Sequence, residues 1–502
     1  MTGQSWLPLA VLGSSLLPGL VIFGLREERV GLRTALNLAG AVLKVVLVAV
    51  MIAGAWAGEY HEFRFEVAPG LELLLFSDTL SLLFAALSAV LWLVTTVYAI
   101  GYLEGSPHRS RFFGFFSLCV AATMGIALAG NLFTFLVFYE LLTLSTYPLV
   151  VHRGTDAALR AGRVYLAYTI AGGTALLVGT VWLHVLSGPV LFVQAGSLAH
   201  VPPADYGQLR VIFLLLVAGL GVKAALVPLH AWLPRAMVAP APVSALLHAV
   251  AVVKAGAFGI VRVIYDVFGV ELAQVLQVMQ PVAYVAAATI LYGSLQALRQ
   301  DDLKKRLAYS TVSQLSYIVL GTALLGPAAT VGGLVHLVHQ GLMKITLFFG
   351  AGNLAETLGI HKVSEMDGVG RRMPLTMATF TVAALGMIGL PPLAGFISKW
   401  YLGIGAVEAG QAWAVWVLVA STVLNAIYFL PIIHAAWFRA PREQWPAAKG
   451  RWEADWRLLS PPLVTAALVV AVGVGAGVPF SPLYWVTLIM QAGWGQSVEI
   501  GS

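Results

Sequence analysis

Long apolar stretches alternate with short polar ones along almost the whole chain. The apolar runs fall at about 5–24, 34–57, 77–100, 112–129, 131–151, 164–187, 210–230, 243–265, 276–298, 307–325, 329–355, 373–404, 412–437 and 459–477. Each is close to the roughly 20 residues that cross a bilayer as a helix, so the pattern predicts an all-α integral membrane protein with about fourteen transmembrane helices. The first run carries no basic residues before it and no small-residue cleavage motif after it, and reads as an uncleaved anchor. The stretch Ser481–Trp494 is apolar but short and broken by glycine, which suits an interfacial segment.

The polar stretches do not share charge evenly. Alternate connections hold Arg26, Arg29 and Arg33; Arg109 and Arg111; Arg153, Arg160 and Arg163; Arg235; Arg299, Lys304, Lys305 and Arg306; Lys362, Arg371 and Arg372; and Arg439, Arg442, Lys449, Arg451 and Arg457. The opposite set holds only Arg64, with Arg210 and Arg262 near helix ends. Basic loops stay on the cytoplasmic side, so the alternation predicts a multi-pass protein of the cell (inner) membrane with both termini outside.

Composition sharpens the exclusions. Apolar residues make up 59% of the 502 and charged residues 10%, against about 25% charge in a soluble domain. A soluble enzyme and a disordered scaffold are excluded. The formal charge of +6 is scattered over loops, which argues against a nucleic-acid partner. Cys119 is the one cysteine, too few for a disulfide or an iron–sulfur cluster. No glycine-rich phosphate loop follows a strand. The chain is expected to carry no cofactor and no catalytic redox centre of its own.

Charges inside the apolar runs are the candidate chemistry, because each costs at least ~2.5–3.5 kcal/mol at the centre of a membrane helix. Glu140 sits mid-run, and Lys223, Lys254, Lys344 and Lys399 lie in later runs. Lys44 has no apparent partner and reads as a structural or snorkelling lysine. Histidines accompany the lysines. His230 follows Lys223 by seven residues, two turns along one face if the helix is continuous; His248 precedes Lys254; His336 and His339 share a face ahead of Lys344. Any one of them alone is more often a satisfied core histidine. No carboxylate or cysteine stands at ligand spacing, so together they suit a proton relay better than a metal site. A carboxylate beside a lysine strengthens its hold on a proton, and withdrawing the carboxylate weakens it. Glu140 and Lys223 could act as such a switch.

Two runs are interrupted. Pro228, Pro234, Pro240 and Pro242 break the seventh and its sequel, and Gly389, Pro391, Pro392 and Gly395 break the twelfth just before Lys399. Broken helices at membrane depth are tolerated where protein or a water-filled cavity satisfies the freed backbone, and a matched pair points to a transport site. The two lie five runs apart, as in two inverted five-helix units. The expected division is an N-terminal three-helix segment (1–110), half-channel repeats at 111–272 and 273–437, and a C-terminal loop, helix and tail (438–502).

These motifs resemble a known family. KAALVPLHAWLPRAMVAPAPVSALLHAVAVVKAG, FYELLTLSTYPL, DDLKKRLAYSTVSQLSYI, HQGLMKITLFFGAG and GLPPLAGFISKW are similar to the antiporter-like membrane subunits shared by respiratory complex I, Mrp-type cation/proton antiporters and membrane-bound hydrogenases. The likeness runs in order from about Arg111 to Lys399. It implies that Glu140 is the fifth-helix glutamate, Lys223 its seventh-helix partner, Lys254 the central eighth-helix lysine and Lys399 the twelfth-helix lysine at the outer end of the axis. His336, His339 and Lys344 would bridge the half-channels on the eleventh helix, and His248 stands where the longer subunits also have a histidine. The implied function is proton translocation within a multisubunit complex, with other membrane subunits as partners and Na⁺ or K⁺ as the exchanged ion. Size and lysines resemble the D-type Mrp subunit, while His248 with PAPVSALLHA leans toward the larger A-type one. A proton-pumping arm of an NADH:quinone oxidoreductase or hydrogenase, and the membrane subunit of a bicarbonate-uptake system, stay open as alternatives.

Overall fold

The computed structural model describes residues 2–441, 445 and 452–494; Arg442, Lys449 and Arg451 lie outside them. The first part of the chain forms α1 (Leu7–Phe23), α2 (Val30–Trp56), α3 (Thr79–Tyr102), α4 (Arg109–Ala127), α5 (Leu132–Val150), α6 (Asp156–Ser187) and α7 (Tyr206–Lys223). An irregular stretch follows, with short helices α8 (Trp232–Arg235) and α9 (Ala241–Ala245). A π-turn at Leu246–Val250 leads into α10 (Val252–Arg262), a second at Val263–Phe268 follows it, and α11 (Val270–Val275) is short. Then come α12 (Met279–Leu298), α13 (Leu303–Ala323), α14 (Pro327–Leu358), α15 (Val369–Arg372), α16 (Pro374–Ile388), α17 (Ala394–Glu408), α18 (Trp413–Phe438), α19 (Trp456–Val474) and α20 (Pro482–Trp494).

Among the described residues, eleven helices are long and apolar enough to cross a membrane, and Leu7–Phe23 and Pro374–Ile388 are shorter apolar helices. Every apolar run of the sequence coincides with helix. The seventh run stops early, because α7 ends at Lys223, and the twelfth divides into α16 and α17.

The chain is not purely helical. A small sheet joins β1 (Thr2–Gln4), β2 (Tyr60–Ala68) and β3 (Leu71–Phe76), with β2 and β3 antiparallel around Gly70. Alternating charges such as Glu62, Arg64 and Glu66 against an apolar Leu73–Leu75 partner suit a half-exposed hairpin. Its short length hid it between two apolar runs.

Helix starts follow local capping chemistry. Asp78 Oδ1 accepts from Ser81 N at 2.6 Å, Asn131 from Thr134 N at 2.7 Å and Asp302 from Lys305 N at 2.8 Å, satisfying amides that a helix start leaves free. Inside the helices, Thr95, Thr123, Thr180 and Thr322 return their hydroxyls to carbonyls four residues earlier, so these four hydroxyls sit in the apolar bundle with their bonds met.

Backbone contacts sort the connections into two groups. The sheet, residues 128–132, residues 188–197 and the end of the second π-turn bond to one another through Phe76 N–Leu128 O, Leu132 N–Val190 O and Val193 N–Asp266 O. The basic connections form the other group: Leu303 N bonds His361 O, Gly368 N bonds Ala435 O, and Glu27 accepts the amides of Arg109 and Ser110. In the same group, Glu365 takes the amides of His361 and Lys362, and the first of these bonds chiefly holds its carboxyl below the usual range.

At the centre stands α14. Its 32 residues span ~48 Å, and its most apolar window is wholly buried, as is that of Ala241–Phe268. By contrast α2 and α18 bury only 28% and 33% of theirs and form the apolar periphery. Glu140, Lys223, Lys254, Lys344 and Lys399 sit on or beside the most enclosed helices of the bundle, whereas Lys44 lies on peripheral α2.

Candidate functional site: a file of buried lysines and histidines

Lys223 is the last residue of α7 and is fully buried. Its ammonium donates to the Tyr139 carbonyl on α5 and lies 3.4 Å from the centre of the Tyr139 ring. Glu140 is the next residue, but it forms no ion pair with Lys223, and its Oε1 has no hydrogen-bond partner. Its carboxyl packs against α6 at Gly173, where a Cβ would collide with it. Any larger residue there would have to push the carboxylate aside. The two groups that the sequence pairs are thus brought to neighbouring positions without being locked together.

After Lys223 the helix stops, and the breaks are bonded by protein groups. Val227 N donates to Thr289 Oγ1 at 3.1 Å and Trp232 Nε1 to Val222 O at 2.7 Å, as irregular backbone at membrane depth requires. One inference from spacing fails here. His230 does not share a helical face with Lys223, because residues 224–231 are not helix; its ring lies 4.9 Å from that of Tyr292 and 6.2 Å from that of Tyr309. The prolines visible in the sequence are the physical cause.

His248 lies in the first π-turn with its ring stacked 4.5 Å from Phe348 of α14, and neither ring nitrogen makes a hydrogen bond. Lys254, on α10 and fully buried, donates to the Leu337 carbonyl of α14 at 2.6 Å. The neighbouring His336 bonds through Nδ1 to Ser398 Oγ on α17 at 2.8 Å and stacks 5.1 Å from Tyr317 of α13. His339 and Gln340 follow, both buried, with no hydrogen bond from either ring nitrogen or either amide atom. Lys344 turns instead toward α13, donating to Ser310 Oγ and to Leu307 O at 3.1 Å.

Lys399 occupies the second break. It donates to the last carbonyls of α16, Met387 at 3.0 Å and Ile388 at 2.7 Å, and to Thr422 Oγ1 of α18 at 3.2 Å. Gly389 makes room for it: the backbone there has φ +97°, and a Cβ would come 2.8 Å from Lys399 Cδ. Asn425 also reaches Met387 O, at 3.2 Å. The lysine therefore lies on the second half-helix and closes the end of the first.

Two features stand out across the set. None of Lys223, Lys254, Lys344 and Lys399 has a carboxylate within ion-pairing distance among the described residues; each ammonium is held by carbonyls and hydroxyls. Alongside them, polar atoms of Glu140, His248, Gln314, His336, His339 and Gln340 are buried without partners. Buried polar atoms are ordinarily satisfied by protein or ordered water. Four of these residues, Gln314 on α13 and His336, His339 and Gln340 on α14, lie on the two helices that also carry or hold Lys344 and Lys254.

Several neighbours do not stand out in the sequence as the charges do. Tyr139, Ser310, Gln314, Tyr317 and Ser398 contact or flank the charged residues. A signal exists for most of them: Ser310, Ser313, Gln314 and Tyr317 recur at helical spacing in an otherwise apolar run. Arg262 is a further case. Rather than sitting free near a helix end, it is buried and bonds Asp78 at 2.7 and 2.8 Å, Asp266 at 2.6 Å and Ser81 at 2.7 Å. Lys44, too, has neutral neighbours: Ser15 Oγ at 2.6 Å and the Trp92 ring at 4.8 Å.

A largely helical bundle with eleven helices of membrane-crossing length among the described residues defines a multi-pass membrane protein. The chain belongs to the NADH:quinone oxidoreductase/Mrp antiporter transmembrane family, whose pattern matches residues 129–425. NADH-quinone oxidoreductase subunit N of Desulforudis audaxviator is 39% identical over 80% of this chain and 82% of that one. Hydrogenase-4 component B of Escherichia coli is 32% identical over 77% of this chain and 58% of its own. The A/B subunit of a probable K(+)/H(+) antiporter from Rhizobium meliloti is 31% identical over 83% and 42%. The chain thus spans about half the length of those two relatives. Among solved structures, the Mrp complex from Dietzia sp. DQ12-45-1b shares the fold with a TM-score of 0.84 at 23% identity, covering 98% of each chain. The archaeal membrane-bound sulfane sulfur reductase matches with a TM-score of 0.84 at 24% identity, over 96% of this chain and 97% of the other.

Proposed function

We propose that this chain moves protons through the membrane along Glu140, Lys223, Lys254 and Lys399, with His230, His248, His336, His339 and Lys344 as relay and connecting groups. The observation that carries this reading is the file itself: buried lysines without carboxylate partners, interleaved with buried polar atoms that water would satisfy. A lysine held only by carbonyls can give up its proton without breaking an ion pair. Glu140, unpaired and one residue from the Lys223 contact, is placed to change that lysine's charge preference by a small movement. Protons would then pass from the Glu140–Lys223 side through Lys254 and the α14 histidines to Lys399.

The chain acts, in this reading, as one component of a multisubunit cation/proton antiporter, equivalent to the D-type Mrp subunit and exchanging H⁺ for Na⁺ or K⁺. A second reading is favoured by one observation, the 39% identity to a subunit N over most of both chains: a proton-pumping arm driven by redox subunits. Mild-detergent extraction followed by mass spectrometry of co-purifying chains separates them. Cofactor-free membrane partners support the antiporter, and flavin- or iron–sulfur-bearing partners support the redox arm. Common to both is one expected outcome. Glu140→Ala and Lys223→Ala each abolish proton movement in the assembled complex, measured with a pH-sensitive dye in vesicles; full transport in both variants would sink the proposal.

A further inference from the structure

Where the start of α6, the α8 region and the α12–α13 connection meet, the protein has an open cavity of about 500 Å³ on the face that collects the basic loops. Arg160, Arg235 and Lys305 line it, with Tyr309, and apolar residues including Ala161 and Pro234 form the rest of the wall. None of its described lining residues is acidic. All three cationic side chains are exposed and make no ion pair or hydrogen bond among the described residues.

Asp156, one turn before Arg160 on α6, makes no ion pair with it, and the two acids before Lys305 are engaged elsewhere. Asp301 holds the amide of Ser364 at 3.0 Å and its hydroxyl at 2.8 Å, and Asp302 caps α13. Lys304 and Arg306, the neighbours of Lys305, are tied to the carbonyls of Ala239 and Gln300. Three uncompensated positive charges around one cavity repel one another, and an anion seated among them removes that cost.

We propose that this cavity binds the phosphate headgroup of an anionic glycerophospholipid from the membrane leaflet on the basic side. Placement favours a lipid over a free anion. Arg160 lies in the first turns of α6 and Lys305 in the first turn of α13, where spanning helices leave the bilayer, and the cavity wall combines cations with apolar side chains. Basic pockets between spanning helices on the cytoplasmic side suit such headgroups. The Tyr309 hydroxyl adds a neutral donor. Because the Tyr309 ring is 6.2 Å from that of His230, the bound headgroup sits one side chain away from the first helix break. The proposal does not depend on which ion the bundle carries.

The test uses the intact protein, with whatever subunits it retains, extracted in mild detergent and examined by native mass spectrometry and lipid extraction. Wild type is compared with R160Q/R235Q/K305Q, with the charge-keeping R160K/R235K, and with R299Q, which removes a cation outside the cavity. Wild type, R160K/R235K and R299Q are expected to retain phosphatidylglycerol or diphosphatidylglycerol. The triple variant should bind phosphatidylglycerol on the order of a hundredfold more weakly, since each basic residue contributes about a factor of five. Equal retention by wild type and the triple variant overturns the proposal, as does loss in R299Q alone. Displacement of the lipid by inorganic phosphate at similar concentration would make it a free-anion site. A cross-link from Lys305 to an acidic residue of a neighbouring subunit, with no lipid present, would make it a protein interface. Either result also overturns it.

Discussion

A lysine buried among apolar helices normally survives because a carboxylate accompanies it. Lys223, Lys254 and Lys344 are fully buried and instead borrow carbonyls from Tyr139, Leu337 and Leu307. Carbonyl dipoles stabilise an ammonium less than a full negative charge does, and the proposed proton path rests on that difference. Arg262 illustrates the opposite solution. It is fixed between Asp78 and Asp266 and ties the start of α3 to the end of α10. Replacing it with leucine strands two carboxylates in a buried setting, so Arg262→Leu is expected to destabilise the protein by about 3–5 kcal/mol. Thermal unfolding in detergent measures this. An unchanged midpoint would show that water reaches the pair and that the arginine is not a structural tie. Spacing alone could place Arg262 near a helix end, but its partner Asp78 is 184 residues away in sequence, and nothing in periodicity pairs them.

At the scale of elements, the two breaks matter most. Prolines and glycines announced both in the sequence, and the chain interrupts its helices there. The consequence for His230 was not legible, because a seven-residue spacing means one face only while the helix continues. The hairpin at 60–76 was missed for a related reason: two short strands leave no period long enough to notice between runs of membrane length. In the second break, Gly389 has a left-handed backbone and stands against Lys399. Gly389→Ala is expected to cost about 1–2 kcal/mol from its backbone conformation alone, and to push Lys399 off the α16 carbonyls. A drop in thermal stability together with a loss of transport larger than that seen in the control Gly403→Ala, where an added Cβ meets open space, would bear this out. Wild-type stability and transport would show that the break is held by other contacts.

For the whole molecule, the membrane class and the helix positions were readable because apolar length and loop charge are local properties. The family was readable because its motifs cluster around the breaks and the buried charges. What the sequence could not supply was three-dimensional company: that His336 meets Ser398 and Tyr317, that Lys344 turns to Ser310, and that Glu140 stands beside Lys223 without an ion pair. Contacts of this kind join α5 to α7 at one place and α10, α13, α14 and α17 at another, inside an apolar bundle. The central claim is that protons use the proposed file, and Lys254 lies in its middle with no alternative partner on either side but the Leu337 carbonyl. Lys254→Met keeps the length and apolar stem while removing the proton carrier. The decisive measurement is proton flux by the assembled complex in vesicles, wild type against Lys254→Met, with subunit content checked by mass spectrometry. The expected result is flux reduced to background with assembly intact. Wild-type flux from a fully assembled Lys254→Met complex would contradict the account.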